Sequence, residues 1–127
     1  MLMKKGILLV LLCVFVQVVK AQVQTIEIAS LDTIAEKDFL LIDVRTPEEF
    51  AEGHIPGAIN IDVKNEDFTE KIATISKEEA VYLYCKSGGR STKATTILSS
   101  LGYENITNLS GGFEAWKTDD KIYMKDL

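Results

Sequence analysis

Histidine, cysteine and long apolar runs are all scarce in this chain, and each scarcity closes off a class of function. His54 is the one histidine among 127 residues, so no cluster of imidazoles is available to hold a metal, and a cysteine–histidine couple has a single side chain to draw on. Its neighbours Gly53, Ile55 and Pro56 read as a turn, which gives His54 a structural role. Only two cysteines are present, Cys13 and Cys85. The apolar stretch at residues 7–19 is well short of the roughly 20 residues that a membrane-crossing helix needs, so no stable membrane span is expected. Positive charge is in deficit as well. With 14 basic and 19 acidic residues the chain carries −5, which argues against nucleic acid and anionic lipid as partners. Internal repeats, low-complexity tracts and linkers are absent from the sequence.

The first residues have the layout of an export signal: Lys4 and Lys5, then the short apolar run, then Ala21 at the cut. Cys13 follows Leu12 rather than a small residue, which makes it part of the apolar centre and not a lipid attachment point. Cleavage after Ala21 is expected, with the protein exported to the periplasm or the medium. Residues 22–127 then form a single domain with one hydrophobic core. Lys4, Lys5 and Lys20 leave with the signal, so 11 basic face 19 acidic residues, a net charge of −8. Removing Cys13 also leaves Cys85 alone in an oxidising compartment, where it has no internal disulfide partner. Such a thiol is either buried by accident or a working nucleophile.

The pattern of short apolar runs and amphipathic segments predicts an α/β domain. Residues 39–42 and 80–84 read as strands buried on both faces, as in a parallel sheet. Residues 26–28, 58–61 and 105–109 are shorter strand candidates, which brings the sheet to five. Thr46-Pro47-Glu48-Glu49 combines a hydroxyl N-cap, a proline in the first turn and a glutamate three residues after the cap, so a helix is expected over residues 47–51. A second is expected over residues 66–75, with Phe68, Ile72, Ala73 and Ile75 as its buried stripe. Ala94, Ile97, Leu98 and Leu101 fall on one face of a third, and Gly102 stands where a left-handed cap ends it. A last short helix over residues 112–117 brings Phe113 and Trp116 together.

The chemistry is concentrated where the strand ending at Tyr84 runs into Cys85-Lys86-Ser87-Gly88-Gly89-Arg90-Ser91 and then into the third helix. A thiol at the carboxyl end of a central strand meets unpaired N–H groups at the start of the following helix. Ser87, Gly88 and Gly89 are small enough for the backbone to curl around the sulfur as an anion-binding nest, and Lys86 and Arg90 flank it with positive charge. These features favour a thiolate, with a pKa below the roughly 8.5 of a free cysteine. Cys85 is therefore read as the nucleophile, with Lys86, Ser87, Gly88, Gly89, Arg90 and Ser91 holding the substrate anion. Ser91 also sits well to cap the helix.

Asp43 and Arg45 lie at a strand end on the same sheet edge, placed for an internal ion pair that orients the loop rather than for substrate contact. Trp116 is a candidate roof over the sulfur pocket or a core residue. Glu48, Glu49, Glu52, Asp119 and Asp120 read as solvated surface.

The segments Leu41-Ile42-Asp43-Val44-Arg45-Thr46-Pro47-Glu48-Glu49-Phe50 and Gly53-His54-Ile55-Pro56-Gly57-Ala58-Ile59-Asn60, the Cys85 loop, and Gly111-Gly112-Phe113-Glu114-Ala115-Trp116 resemble the signatures of the rhodanese family, in order and over nearly the whole of residues 22–127. The resemblance implies a doubly wound, mainly parallel five-stranded α/β fold with helices on both faces. It implies a loop cysteine that takes sulfur from thiosulfate or a similar small anion and passes it to cyanide or a thiol through a persulfide. No metal or organic cofactor is implied, and a reducing protein partner would serve the lone thiol. Cysteine phosphatases and arsenate reductases of related shape are one alternative, but four residues separate Cys85 from Arg90, one fewer than a phosphate-wrapping loop uses, and Tyr84 stands where a histidine would precede the cysteine. A persulfide carrier or partner-binding module without turnover is the other.

Overall fold

The computed structural model describes residues 22–34 and 38–126; the expected export signal, Cys13 included, lies outside them. Five strands form one sheet: β1 (Gln22–Glu27), β2 (Leu40–Asp43), β3 (Ile59–Asn60), β4 (Val81–Tyr84) and β5 (Asn105–Ser110), in the order β1-β5-β4-β2-β3. Every pairing is parallel. A 3-10 helix (Ile28–Ile34) and the α-helices α1 (Pro47–Glu52), α2 (Phe68–Ile72), α3 (Gly89–Ser100) and α4 (Gly112–Thr118) make the connections. No helix among the described residues is long and apolar enough to cross a membrane.

Side chains alternate across a strand, and the core divides accordingly. Ile42, Val81, Leu83 and Ile106 pack with Phe68 and Ile72 of α2 and Ala94 and Leu98 of α3. From the opposite face, Leu41, Tyr84 and Leu109 pack with Ile28 and Leu31 of the 3-10 helix and Phe113 and Trp116 of α4. This is the doubly wound arrangement that the resemblance implies, built on the α/β pattern that the apolar runs predict.

The differences from expectation lie at element ends and faces. β1 begins before residue 26 and ends before Ile28, because its residues, most of them polar, pair through the backbone with all six residues of β5. α2 is shorter than residues 66–75. Before it, the Asn65 side chain accepts from the Asp67 N–H in a local turn. After it, the Tyr103 hydroxyl lies 2.5 Å from the Ile72 carbonyl and 2.8 Å from that of Ile75, tying the chain into turns; Ala73 is exposed. In α3 the fully buried stripe is Ser91, Ala94, Thr95 and Leu98, with Ile97 and Leu101 only partly covered. The period is the expected one, rotated toward the loop that precedes the helix. Gly102 ends α3 at φ 91°, as a left-handed cap requires.

Candidate active site

Thr46 caps α1 as its residue type dictates. Its Oγ1 accepts from the Glu49 N–H at 3.3 Å, and Glu49 Oε1 accepts in return from the Thr46 N–H at 3.4 Å. This box aims the Glu49 carboxylate away from solvent and across to α3, where Arg90 binds it through both guanidinium ends at 2.6 and 2.9 Å. Glu49 is therefore not a solvated surface residue, and Arg90 is not a free cation at the thiol. The pairing holds the Glu49 carboxyl down at about 2, chiefly through the hydrogen bonds from Arg90, with burial opposing and Thr46 assisting. Glu48, Glu52, Asp119 and Asp120 are exposed as expected.

Cys85 follows β4 directly and is buried. The Gly88 N–H donates to its Sγ at 3.0 Å, and Ser91 Oγ stands 3.5 Å from the sulfur. Burial pushes the thiol pKa up, but the Ser91 hydroxyl and the N–H groups of Ser91, Ser87 and Gly88 outweigh it, so the thiol lies below its ordinary value. Most of the stabilisation comes from oriented hydrogen-bond donors, and of the flanking cations expected from the sequence Arg90 still interacts with the sulfur through its charge while paired to Glu49. Gly88 has φ 136°, which a residue with a side chain rarely adopts. Gly89 is an ordinary first-turn residue with open space where a Cβ would sit.

The other side of the loop is held by α4. The Phe113 N–H donates to the Cys85 carbonyl at 2.8 Å and the Glu114 N–H to the Lys86 carbonyl at 3.0 Å. With these carbonyls turned toward α4, the later N–H groups of the loop are left to face the sulfur. Gly112 makes the approach possible: a Cβ there would stand 2.5 Å from the Lys86 carbonyl oxygen and 2.6 Å from that of Cys85.

Asp43 and Arg45 form a buried ion pair, Nη2 to Oδ2 at 2.6 Å and Nε to Oδ1 at 3.0 Å. Arg45 Nη2 also donates to the Gly53 carbonyl at 2.6 Å, and its guanidinium carbon lies 4.4 Å from the centre of the Phe113 ring. Asn60, which the sequence did not single out, donates to the carbonyls of Asp43 and Arg45 at 3.0 and 2.8 Å. Trp116 does not roof the sulfur. It packs with Leu31, Leu41 and Ile55 on the opposite face of the sheet from Cys85, and its Nε1 donates to the Ile122 carbonyl at 3.0 Å. His54 is buried, stacked on Phe50 at 3.6 Å with Nδ1 2.8 Å from the Phe50 carbonyl oxygen. Lys86 and Ser87 are exposed, and Lys86 enters no ion pair among the described residues. A cleft of about 260 Å³ beside the loop is lined by Arg45, Glu49, Lys86, Phe113, Lys117 and other residues.

Thr92 and Asn108 also reach the loop, through the Gly88 carbonyl. Asn108 carried no distinctive sequence signal, because β5 reads Asn-Ile-Thr-Asn-Leu-Ser and buries the polar Thr107 as well.

The profile of the rhodanese-like domain matches residues 29–119. Thiosulfate sulfurtransferase 16, chloroplastic, of Arabidopsis thaliana is 38% identical over 103 residues, covering 69% of this chain and 86% of the relative. Thiosulfate sulfurtransferase PspE of Escherichia coli K12 is 43% identical over 72 residues, covering 55% of this chain and 67% of the relative. Among solved structures, a rhodanese-like domain protein from Staphylococcus aureus superposes with a TM-score of 0.66 at 32% identity, covering 73% of this chain and 90% of that one.

Proposed function

Starting from the fact that the chain belongs to the rhodanese-like domain family, we propose that it is an exported sulfurtransferase in which Cys85 carries sulfane sulfur from thiosulfate or a similar small anion to cyanide or a thiol. The observation that carries this reading is the sulfur of Cys85 under the Gly88 N–H at 3.0 Å, with its pKa lowered by oriented donors. The names of similar proteins, two of them thiosulfate sulfurtransferases, support the same chemistry.

In the first half-reaction the Cys85 thiolate attacks the outer sulfur of thiosulfate. A new S–S bond forms at Cys85, the S–S bond of the donor breaks, and its electron pair leaves with sulfite. Negative charge passes from Sγ to the outer sulfur of the persulfide, which the N–H groups of the same loop are expected to hold. Lys86, exposed and in no ion pair among the described residues, attracts the anionic donor, while Arg90 acts from within its pair with Glu49. In the second half-reaction an acceptor thiolate or cyanide attacks the outer sulfur, and the electron pair of the breaking bond returns to Cys85. The cycle is ping-pong. Residues 1–21 are the export signal in this reading, and the lone thiol of residues 22–127 draws on a reducing partner outside the cytoplasm.

Intact-mass measurement after thiosulfate treatment tests the assignment. Cys85 is expected to gain about 32 Da, one sulfur atom, and to lose it to cyanide. C85S is expected to fold and to gain nothing; sulfur loading retained in C85S rules the proposal out. Sequencing the amino terminus of the protein recovered outside the cytoplasm tests cleavage after Ala21.

A further inference from the structure

Asn108 sits within β5, opposite Leu83 of β4 and Thr25 of β1, and its side chain is only 6% exposed. Nδ2 donates to Thr92 Oγ1 at 3.1 Å, whereas Oδ1 is buried without a hydrogen-bond partner among the described residues. An orphaned buried acceptor costs free energy, and the donor logic of the neighbours explains why this one persists. Thr92 has a single hydroxyl proton, and it goes to the Gly88 carbonyl at 2.8 Å, which only accepts. Thr92 Oγ1 therefore presents lone pairs to Asn108, the amide must offer its N–H, and Oδ1 is left over.

The far end of this line is the residue that touches the sulfur. The Gly88 carbonyl also accepts from the Thr92 N–H at 3.1 Å and from Ser91 Oγ at 3.1 Å, while the Gly88 N–H donates to Cys85 Sγ at 3.0 Å. Gly88 has no side chain to pack, so these two polar groups set its orientation. Ser91 cannot serve both ends of the loop, because its one proton goes either to the Gly88 carbonyl or to the ionised sulfur. When Cys85 ionises and takes the Ser91 hydroxyl, Thr92 is left to hold the Gly88 carbonyl.

We propose that Thr92 and Asn108 are positioning residues for Cys85: they clamp the Gly88 carbonyl so that the Gly88 N–H stays aimed at the thiolate. The inference rests on Cys85 acting as a thiolate nucleophile. Its effect falls on the charged state, and so on the pH at which Cys85 becomes reactive, beyond any contribution to stability.

The test is the pH dependence of Cys85 alkylation by iodoacetamide, followed on the full chain by the mass of the peptide that carries Cys85. T92V removes the hydroxyl. N108D replaces the amide donor with a carboxylate that pulls the Thr92 proton away from Gly88. Both are expected to move the midpoint upward and to slow alkylation at pH 6 by about threefold, the effect of weakening one hydrogen bond, with the plateau rate at high pH unchanged. T92S keeps the hydroxyl and is expected to restore the wild-type midpoint. A folded T92V protein whose midpoint equals that of the wild type overturns the proposal, and because Thr92 is exposed that variant decides the matter even where N108D fails to fold. Alkylation requires no sulfur donor, so failure of sulfur loading in the wild type and failure of this inference are separate results.

Discussion

Two guanidinium–carboxylate pairs stand near Cys85, and their surroundings give them different work. Asp43–Arg45 is almost wholly buried, so its two charges must stay paired; removing one partner strands the other in the interior. Glu49–Arg90 is about a quarter exposed on each side, which weakens it as a source of stability and leaves it open to exchange. An incoming anion has to compete with Glu49 for Arg90. E49Q is therefore expected to lower the KM for thiosulfate by about threefold, while its cost in stability stays near the ~1 kcal/mol of a partly exposed pair. Steady-state kinetics and urea denaturation at neutral pH check the two halves. The pH dependence follows from the same pair. The folded-state pKa of Glu49 is about 2, below its ordinary 4.5, so the stabilisation is complete above the ordinary value and is lost as pH falls from there through 2. Denaturation at pH 6, 4 and 3 is expected to show a shallower decline in E49Q than in the parent; identical declines would mean that the pair contributes nothing.

At the scale of elements, the loop is held between two helices that act in opposite senses. α3 and the turn before it direct N–H groups at the sulfur, and α4 takes the carbonyls of Cys85 and Lys86 from the other side. The contact with α4 is so close that Gly112 has no room for a methyl group, while Gly89 has open space. G112A is expected to destabilise the fold by about 2–3 kcal/mol or more, since backbone rather than a flexible side chain blocks the Cβ and φ is 60°. G89A, in the first turn of α3, is expected to stay within about 0.5 kcal/mol of the parent. Thermal melts of the two variants read the contrast directly. A mild G112A would mean that α4 can withdraw from the loop at little cost.

For the molecule as a whole, the sheet brings residues far apart in the chain to its carboxyl edge. Parallel β2 and β4 end side by side, Asp43 opposite Tyr84, so the signature after β2 and the loop after β4 meet there. The chain as a whole is acidic, with or without residues 1–21, and both of its arginines are already neutralised by their partners. Long-range repulsion then opposes the approach of a dianionic donor, and salt screens repulsion. The second-order rate of Cys85 persulfide formation from thiosulfate is expected to rise about twofold to threefold between low and physiological ionic strength. A rate that falls with added salt would show that Lys86 and its neighbours dominate the field.

What the chain determined by itself was what local order carries: four strands close to their expected places and the end of β1, the helix cap at Thr46, the left-handed end at Gly102, and a thiol set between a strand and a glycine-bearing turn. Such features depend on residues within a few positions of one another, so their physics is complete before the chain folds. Tertiary structure alone decided who meets whom. Glu49 looked like solvated surface until folding brought it to Arg90, across 41 positions of sequence. Trp116 went to the far face because α4 approaches the sheet from that side. Asn108 reached the sulfur loop through Thr92 because β5 lies beneath α3. Hydrogen bonds and ion pairs are directional and short-ranged, so their partners exist only once the backbone has been placed.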